Sequence, residues 1–337
     1  MTTTPGLKTA LKRGALLAAA NWPLVLVQFV AESSLKLLLA VPIVGGAFLV
    51  ALLLDASLTD LLRGDVRDIV TSIIAALTAS PIALAAFIAA GLVVLIGGSV
   101  LTFVVKAGTV AVLAQAERTS GPIERPPLRL ESVRRASVVG IDLFLAGCSR
   151  LWRRYITIGL GLLIVYGLTA VVYLGVVFGG YALAGNSAIL LGWTAVAAFA
   201  SSALIVWITI VNFFYLMTQM VVTIEDVNVT TGARLAVRFV WGHLREVGAV
   251  FGVVLIVVVL ATAASILATA GLGLIAFVPL VGLAVLPLQL AAWLLRGIVF
   301  EYLALAALGA YLSHYRWYHR GADVQPPLRE VPGVRLA

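Results

Sequence analysis

Cysteine is almost absent from this chain: Cys148 is the only one in 337 residues. An internal disulfide and a cysteine-cluster metal site are excluded by that count alone. Cys148, set among Ala146, Gly147 and Ser149, reads as an inert small residue on a helix. Histidine is scarce too, at three. His314 and His319 stand five apart in "SHYRWYH", which is not the i, i+4 spacing of a helical metal pair. With His243 they read as interfacial residues beside Tyr315, Trp317 and Tyr318. The chain has no Walker A sequence, no GxGxxG after a strand, no GxSxG, no HExxH and no CxxC. These absences lead us to expect no enzyme, no metal and no cofactor. Charge is thin as well. Charged residues make up 11% and hydrophobic residues 62%, against about 25% and about 45–50% in soluble domains. Apolar runs of about 20 residues make lipid the natural solvent for such a chain.

The net charge of +8 would suggest nucleic acid in a soluble protein. Here the excess of Lys and Arg on the inner side of a membrane accounts for it, and no nucleic-acid partner is expected. Lys8, Lys12 and Arg13 precede an apolar stretch, as in a signal peptide. A cut after Ala20 leaves a very short apolar region, and one after Ala31 puts Phe29 where a small residue is wanted, so the segment reads as retained.

Clear apolar runs occupy 82–105, 155–183, 188–222, 247–270 and about 284–312. Charge decides how many spans the opening region adds. Residues 106–154 carry nine Lys or Arg against four acids and should be cytoplasmic, like the N-terminal Lys8, Lys12 and Arg13. The stretch "DASLTDLLRGDVRD" at 55–68, with four Asp and two Arg, fits the outer side. The tail, with Arg316, Arg320, Arg329 and Arg335, fits the cytoplasm. An even number of crossings must then separate the N-terminus from 106–154, so residues 14–54 cross once. "AESSLK" at 31–36 is part of one helix and not a loop between two. That span starts at "NWP", with Asn21 as cap, Trp22 at the interface and Pro23 in the first turn, and Pro42 with "VGG" kinks or ends it.

The sequence reads as one unit used three times. "GLKTALKRGALLAAANW" from Gly6 parallels "GARLAVRFVWGHLREV" from Gly232, with Lys8 and Lys12 matching Arg234 and Arg238 and a span starting about sixteen residues on. A middle copy, "LRLESVRRASVVGIDLFLAGCSRLWRRY", contains Arg134, Arg135 and then Trp152 before a span. In the third copy Ala233, Ala236, Val237, Val240, Trp241 and Leu244 fall on one helical face. "VPIVGG" at 41–46 echoes "VPLVGL" at 278–283. The predicted architecture is an all-α integral membrane protein with six transmembrane helices at about 22–41, 82–105, 155–180, 190–219, 246–270 and 285–312. It consists of three repeats, about 5–115, 122–220 and 224–320, each an amphipathic interfacial helix plus a helical hairpin, within one transmembrane domain over 1–320. Both termini are cytoplasmic. Residues 43–80 form an outer segment, partly helical or re-entrant, and 321–337 a short disordered tail.

A basic amphipathic helix before each hairpin, and a closing "YLALAALGAYLSHYR" with tyrosines and an Arg at its inner end, make most of the chain similar to a loose group of bacterial multi-pass families. These include the membrane domain associated with some glycerophosphodiester phosphodiesterases and related families of unknown function. The resemblance implies a bacterial cytoplasmic (inner) membrane protein without an assigned reaction. The soluble catalytic barrel of those phosphodiesterases has no counterpart here.

Polar residues at membrane depth are the candidate sites, because unpaired charges there cost several kcal/mol. Glu32 and Lys36 form an i, i+4 pair in the favourable order. Asn212, Tyr215 and Gln219 share a face. Arg296 and Glu301 lie in the last span, about 140° apart around the helix, and should meet different neighbours. This cluster either hydrogen-bonds between helices and fixes the bundle, or lines a polar cavity for a substrate or lipid headgroup. Lys8, Lys12, Arg13, Arg134, Arg135, Arg153, Arg154, Arg234 and Arg238 are expected to meet the anionic inner leaflet. Gly175–Gly179 and Gly248–Gly252 are GxxxG motifs able to bring helices close. The functional expectation is a scaffold or accessory subunit, partnered by other membrane subunits or by copies of itself. The alternative is a transporter or lipid-handling permease.

Overall fold

The computed structural model describes residues 6–53, 81–126, 130–183, 187–276 and 281–323. They form nine helices, with no strand among them. These are α1 Leu7–Ala20, α2 Trp22–Leu53, α3 Pro81–Thr119, α4 Leu130–Ala136, α5 Ile141–Leu183, α6 Ser187–Glu225, α7 Val229–Gly242, α8 Leu244–Ala276 and α9 Val281–Asp323. Six are long and apolar enough to cross a membrane, over Trp22–Val41, Ile88–Thr119, Ile141–Tyr181, Gly192–Glu225, Leu244–Ile275 and Pro287–Tyr318. The chain is thus all-helical and compatible with a multi-pass membrane protein.

Several helices outrun the predicted spans. α3 continues to Thr119 rather than 105, α5 begins at Ile141 rather than 155, and α9 reaches Asp323. Hydropathy marks where lipid ends and not where the helix ends. The extensions carry Arg118, Arg150 and Arg153 outward, yet bury small and apolar residues such as Ala107, Leu113 and Leu151. α2 also passes Pro42 and runs on to Leu53, where the sequence predicted a kink or an end. Proline is tolerated in membrane helices when neighbouring groups re-satisfy the backbone. The predicted outer segment beyond residue 53, and the tail beyond 323, lie outside the described residues.

The chain divides into two compact units, Val27–Lys106 and the remainder, Met1–Leu26 with Ala107–Ala337. In the smaller unit α2 and α3 pack antiparallel. A Cβ on Gly98 would come 2.4 Å from Leu35 Cδ1, and Glu32 forms ion pairs with Lys36 at 3.8 Å and Lys106 at 3.4 Å. "AESSLK" is accordingly the interior of one unbroken helix.

In the larger unit the packed core gathers at the basic end of the helices. Leu17, Leu113, Leu151, Met217, Val250 and Tyr311 are all buried there. None of the most apolar stretch of α5 or of α6 is buried. Close helix approaches occur at glycines. A Cβ on Gly14 of α1 would lie 2.2 Å from the Ala306 carbonyl oxygen of α9. On Gly147 of α5 it would meet Ala111 Cβ of α3 at 2.7 Å, and on Gly232 of α7 it would meet Val222 of α6 at 2.3 Å. α1, the start of α5, and α7 therefore each rest on the basic end of another long helix.

α1 and α7 share more than composition. Each has fourteen residues and ends one residue before a long helix, at Asn21 and His243. The local hydrogen bonds coincide: Asn21 N donates to Leu17 O and Leu24 N to Asn21 O, as His243 N donates to Phe239 O and Glu246 N to His243 O. Counted from these breaks, the buried positions Ala10, Gly14, Leu17 and Ala18 superpose on Gly232, Ala236, Phe239 and Val240. This alignment on the breaks differs by four residues from the one read from Gly6 and Gly232, since Gly6 stands 15 residues before its break and Gly232 only 11. Matching glycines and basic residues misses the burial pattern that places the helix. The buried face of α7 accordingly includes Phe239, whereas Trp241, Val237 and Leu244 are exposed. The middle segment differs: it has a seven-residue α4, a gap over 137–140, and then α5, which runs unbroken past Trp152.

Asn21 does not cap α2 with its side chain. Its fully buried amide donates to the carbonyls of Leu17 and Ala136, both at 2.9 Å, and accepts from Val138 N at 3.1 Å. It ties the α1–α2 break to the end of α4. Asn21→Ala would leave the Val138 amide without this acceptor and should destabilise the fold by about 1–3 kcal/mol. Hydrogen exchange at Val138 provides the check, and unchanged protection there would remove this role.

Candidate functional site at the basic end

The best-formed polar site lies where α1, the end of α3 and the end of α9 meet. α3 stops in a turn in which Ser120 N donates to Ala116 O and Gly121 takes a left-handed conformation, φ +59°. Glycine adopts it without strain, and the turn exposes the Gly121 carbonyl to α1. Arg13 fills that place. Its Nη1 donates to Gly121 O at 2.6 Å and to Glu124 Oε2 at 2.8 Å; its Nη2 donates to Ser120 Oγ at 3.1 Å and Glu117 Oε1 at 3.2 Å. Arg316 of α9 donates to the other Glu117 oxygen, and Lys12 Nζ donates to Glu124 O at 2.8 Å. The Glu117 side chain, 5% exposed, thus bridges two guanidinium groups that are themselves 15% and 12% exposed.

Beside this junction is a cavity of about 340 Å³ lined by Thr9, Arg13, Glu117, Arg118, Glu124, Arg125, Ser313, Arg316 and Trp317, among others. Four arginines face two glutamates. Both carboxylates accept from arginine, and the Ser313 hydroxyl donates to Gly309 O. The arrangement is suited to holding three helices together and to receiving a small polar or anionic group. No protein-family model, curated protein or solved structure matches this chain.

The predicted membrane-depth residues occupy separate places. Glu32 and Lys36 are in the smaller unit, paired as described. Asn212 is exposed and accepts from Tyr166 OH at 2.6 Å. Gln219 is buried, and its Nε2 has no hydrogen-bond partner among the described residues. Tyr215 is half-buried on the same helix. On α9, Arg296 is exposed with its guanidinium 5.8 Å from the Phe300 ring centre, and Glu301 is half-buried. None of these seven side chains lines the Arg13–Glu117 cavity or the cavities beside Gln115, Trp207 and His243.

The basic residues expected at the inner leaflet divide in two. Lys8, Arg134, Arg153, Arg234 and Arg238 are exposed, with Arg153 also set 5.2 Å over the Trp152 ring. Lys12 and Arg13 turn inward to Glu117 and Glu124, while Arg135 pairs with Glu131 and Arg154 with Asp226. Glu131–Arg135 is an i, i+4 pair that spacing along one helix shows, whereas the partners of Arg13 and Arg154 lie far off in the sequence and only the fold brings them within reach.

Sequence reasoning missed Glu117, Glu124 and Arg316, because α3 was ended at 105 and the acids beyond it were counted only as loop charge. It also placed His314 at the interface. His314 is buried and its Nε2 lacks a described partner, beside a cluster in which Phe239 stacks on His243 and Tyr318 meets His243 edge-on at 4.3 Å. Tyr155 was missed as well. It is fully buried, and its hydroxyl bonds Thr223 Oγ1 at 2.7 Å and Gln219 O at 3.1 Å, joining α5 to α6.

Proposed function

We propose that this is a non-enzymatic multi-pass protein of the bacterial inner membrane, with both termini cytoplasmic, acting as a scaffold or accessory subunit of a membrane complex. Its three repeats each bring a basic amphipathic helix to the cytoplasmic end, where α1, the start of α5, and α7 rest on the long helices. The coincident burial of α1 and α7 around Asn21 and His243 supports the repeat reading. Lys8, Arg134, Arg234 and Arg238 remain free to meet anionic lipid.

The observation that carries the reading is the uncovered GxxxG motifs. Around Gly175, Gly179, Gly248 and Gly252, nothing lies within 4 Å of where a Cβ would stand. These motifs let helix backbones approach closely. Among the described residues no helix approaches them, although Gly14 and Gly147 are tightly used. Along α5 and α6 the apolar face is open too. A second membrane chain, or a second copy, is the natural occupant.

Gently extracted protein should therefore migrate as an oligomer or with co-purifying membrane proteins. Gly175→Leu and Gly248→Leu should keep the monomer fold, since both sites are open, and weaken association on the order of tenfold, about 1.4 kcal/mol. A wild-type chain that stays monomeric in mild detergent, with nothing co-purifying, would count decisively against the proposal. The permease reading rests on the polar residues at membrane depth. The local partners of Glu32, Lys36 and Asn212, and the absence of these seven side chains from the cavities described above, support a packing role over a permeation path.

A further inference from the structure

A second cavity lies between α3 and α5, on the far side of Arg118 from the first. Its volume is about 150 Å³, and its lining includes Gln115 and Arg118 of α3, Gly147 and Arg150 of α5, and Thr223 of α6. The small-residue crossing of α3 and α5 makes it. A Cβ on Gly147 would stand only 3.2 Å from Gly108 Cα, so the two helices run close enough for both to supply an arginine to one hollow. Gln115 and Arg118 are three apart and share a face of α3.

The charge balance distinguishes this hollow from the first. Its two arginines face no carboxylate in the lining. Among the described residues neither Arg118 nor Arg150 has a hydrogen bond or ion pair, whereas Arg13, Arg135, Arg154 and Arg316 all have one. Two guanidinium forks without a carboxylate partner, supplied by different helices to one hollow with an amide beside them, suit a tetrahedral oxyanion. The hollow is smaller than the roughly 300–1,000 Å³ of sites for drug-sized ligands, so it takes one small group and not a nucleotide. Arg118 is the penultimate residue of α3, at the basic end of the molecule.

We propose that Arg118, Arg150 and Gln115 bind a phosphate group, presented either by a phospholipid headgroup or as the free anion. The full-length protein in a neutral detergent is titrated in two arms, one with short-chain phosphatidylglycerol and one with inorganic phosphate, reading its thermal midpoint. The double variant R118Q/R150Q is compared with R245Q/R296Q, which removes two exposed arginines elsewhere. Wild type should be stabilised in a saturable way, and R118Q/R150Q should weaken the apparent affinity on the order of tenfold or more, while R245Q/R296Q binds as wild type does. R118K/R150K keeps the charge but loses the forks and should fall between. A response to the lipid alone identifies a headgroup site; a response to both, or to phosphate alone, identifies the phosphate group itself as sufficient. No saturable response in either arm, or equal losses in the two double variants, overturns the proposal.

Discussion

Replacing Glu117 by alanine should destabilise the protein by about 3 kcal/mol, because Arg13 and Arg316 then lose the buried carboxylate they share. Arg13 and Arg316 approach Glu117 from the first and last described helices, and the carboxylate is almost wholly withdrawn from water. A buried ion pair contributes little relative to apolar residues of the same shape, but breaking one by removing a single partner is severe. The variant E117A therefore differs from the quadruple variant R13M/E117M/E124Q/R316M, which also neutralises the Arg13 partner Glu124 and in which much of the loss should be recovered. Denaturation in mild detergent measures both. Exposure of α1 to limited proteolysis in E117A would show that the junction holds the N-terminal helix in place. An E117A midpoint equal to wild type would mean that Arg13 and Arg316 find water or other partners, and the junction would lose its structural role.

Gly14→Ala should destabilise by about 2 kcal/mol, against the direction of helix propensity. Alanine is favoured over glycine inside a helix by roughly 1 kcal/mol, so an exposed site would gain. At Gly14 the added Cβ would meet the Ala306 carbonyl oxygen at 2.2 Å and the Ala310 nitrogen at 2.5 Å. Both are backbone atoms of α9, and no rotamer change relieves them. Overpacking typically costs about 1–3 kcal/mol, and here the only relief is to separate α1 from α9, which also pulls Arg13 from Glu117 and the Tyr302 hydroxyl from Ala15 O. Gly175→Ala serves as the control, since its surroundings are open, and it should be neutral or slightly stabilising. A stabilised Gly14→Ala protein would show that α1 is free to shift on α9.

Much of this layout is legible in the residues because lipid imposes a simple rule. A crossing helix must be apolar for about 20 residues, and Lys and Arg collect on one side. Those two constraints placed six spans and kept Glu32 and Lys36 inside one helix. They do not extend past the bilayer. Beyond it, Ala107 and Leu113 look like any mixed segment, and the extension of α3 to Thr119 follows from packing against α5 and α9. The same limit explains the register of α1 and α7. Basic residues repeat loosely, because a headgroup layer tolerates a charge anywhere on the outer face, while burial against a neighbouring helix tolerates only one phase.

The sequence by itself determined the all-helical class, the six long apolar helices and the helix–break–helix entry at "NWP", since each depends on composition or local order. Only the tertiary structure decided which arginines are structural and which are free. Arg13 and Arg118 carry the same charge at the same end of the molecule. One is surrounded by Glu117, Glu124, Ser120 and Gly121, and the other stands between two cavities with no carboxylate bound to it. The difference comes from residues more than a hundred positions apart in one case and from a glycine crossing of two helices in the other. Long-range contacts of this kind are set by packing and leave no periodic trace along the chain.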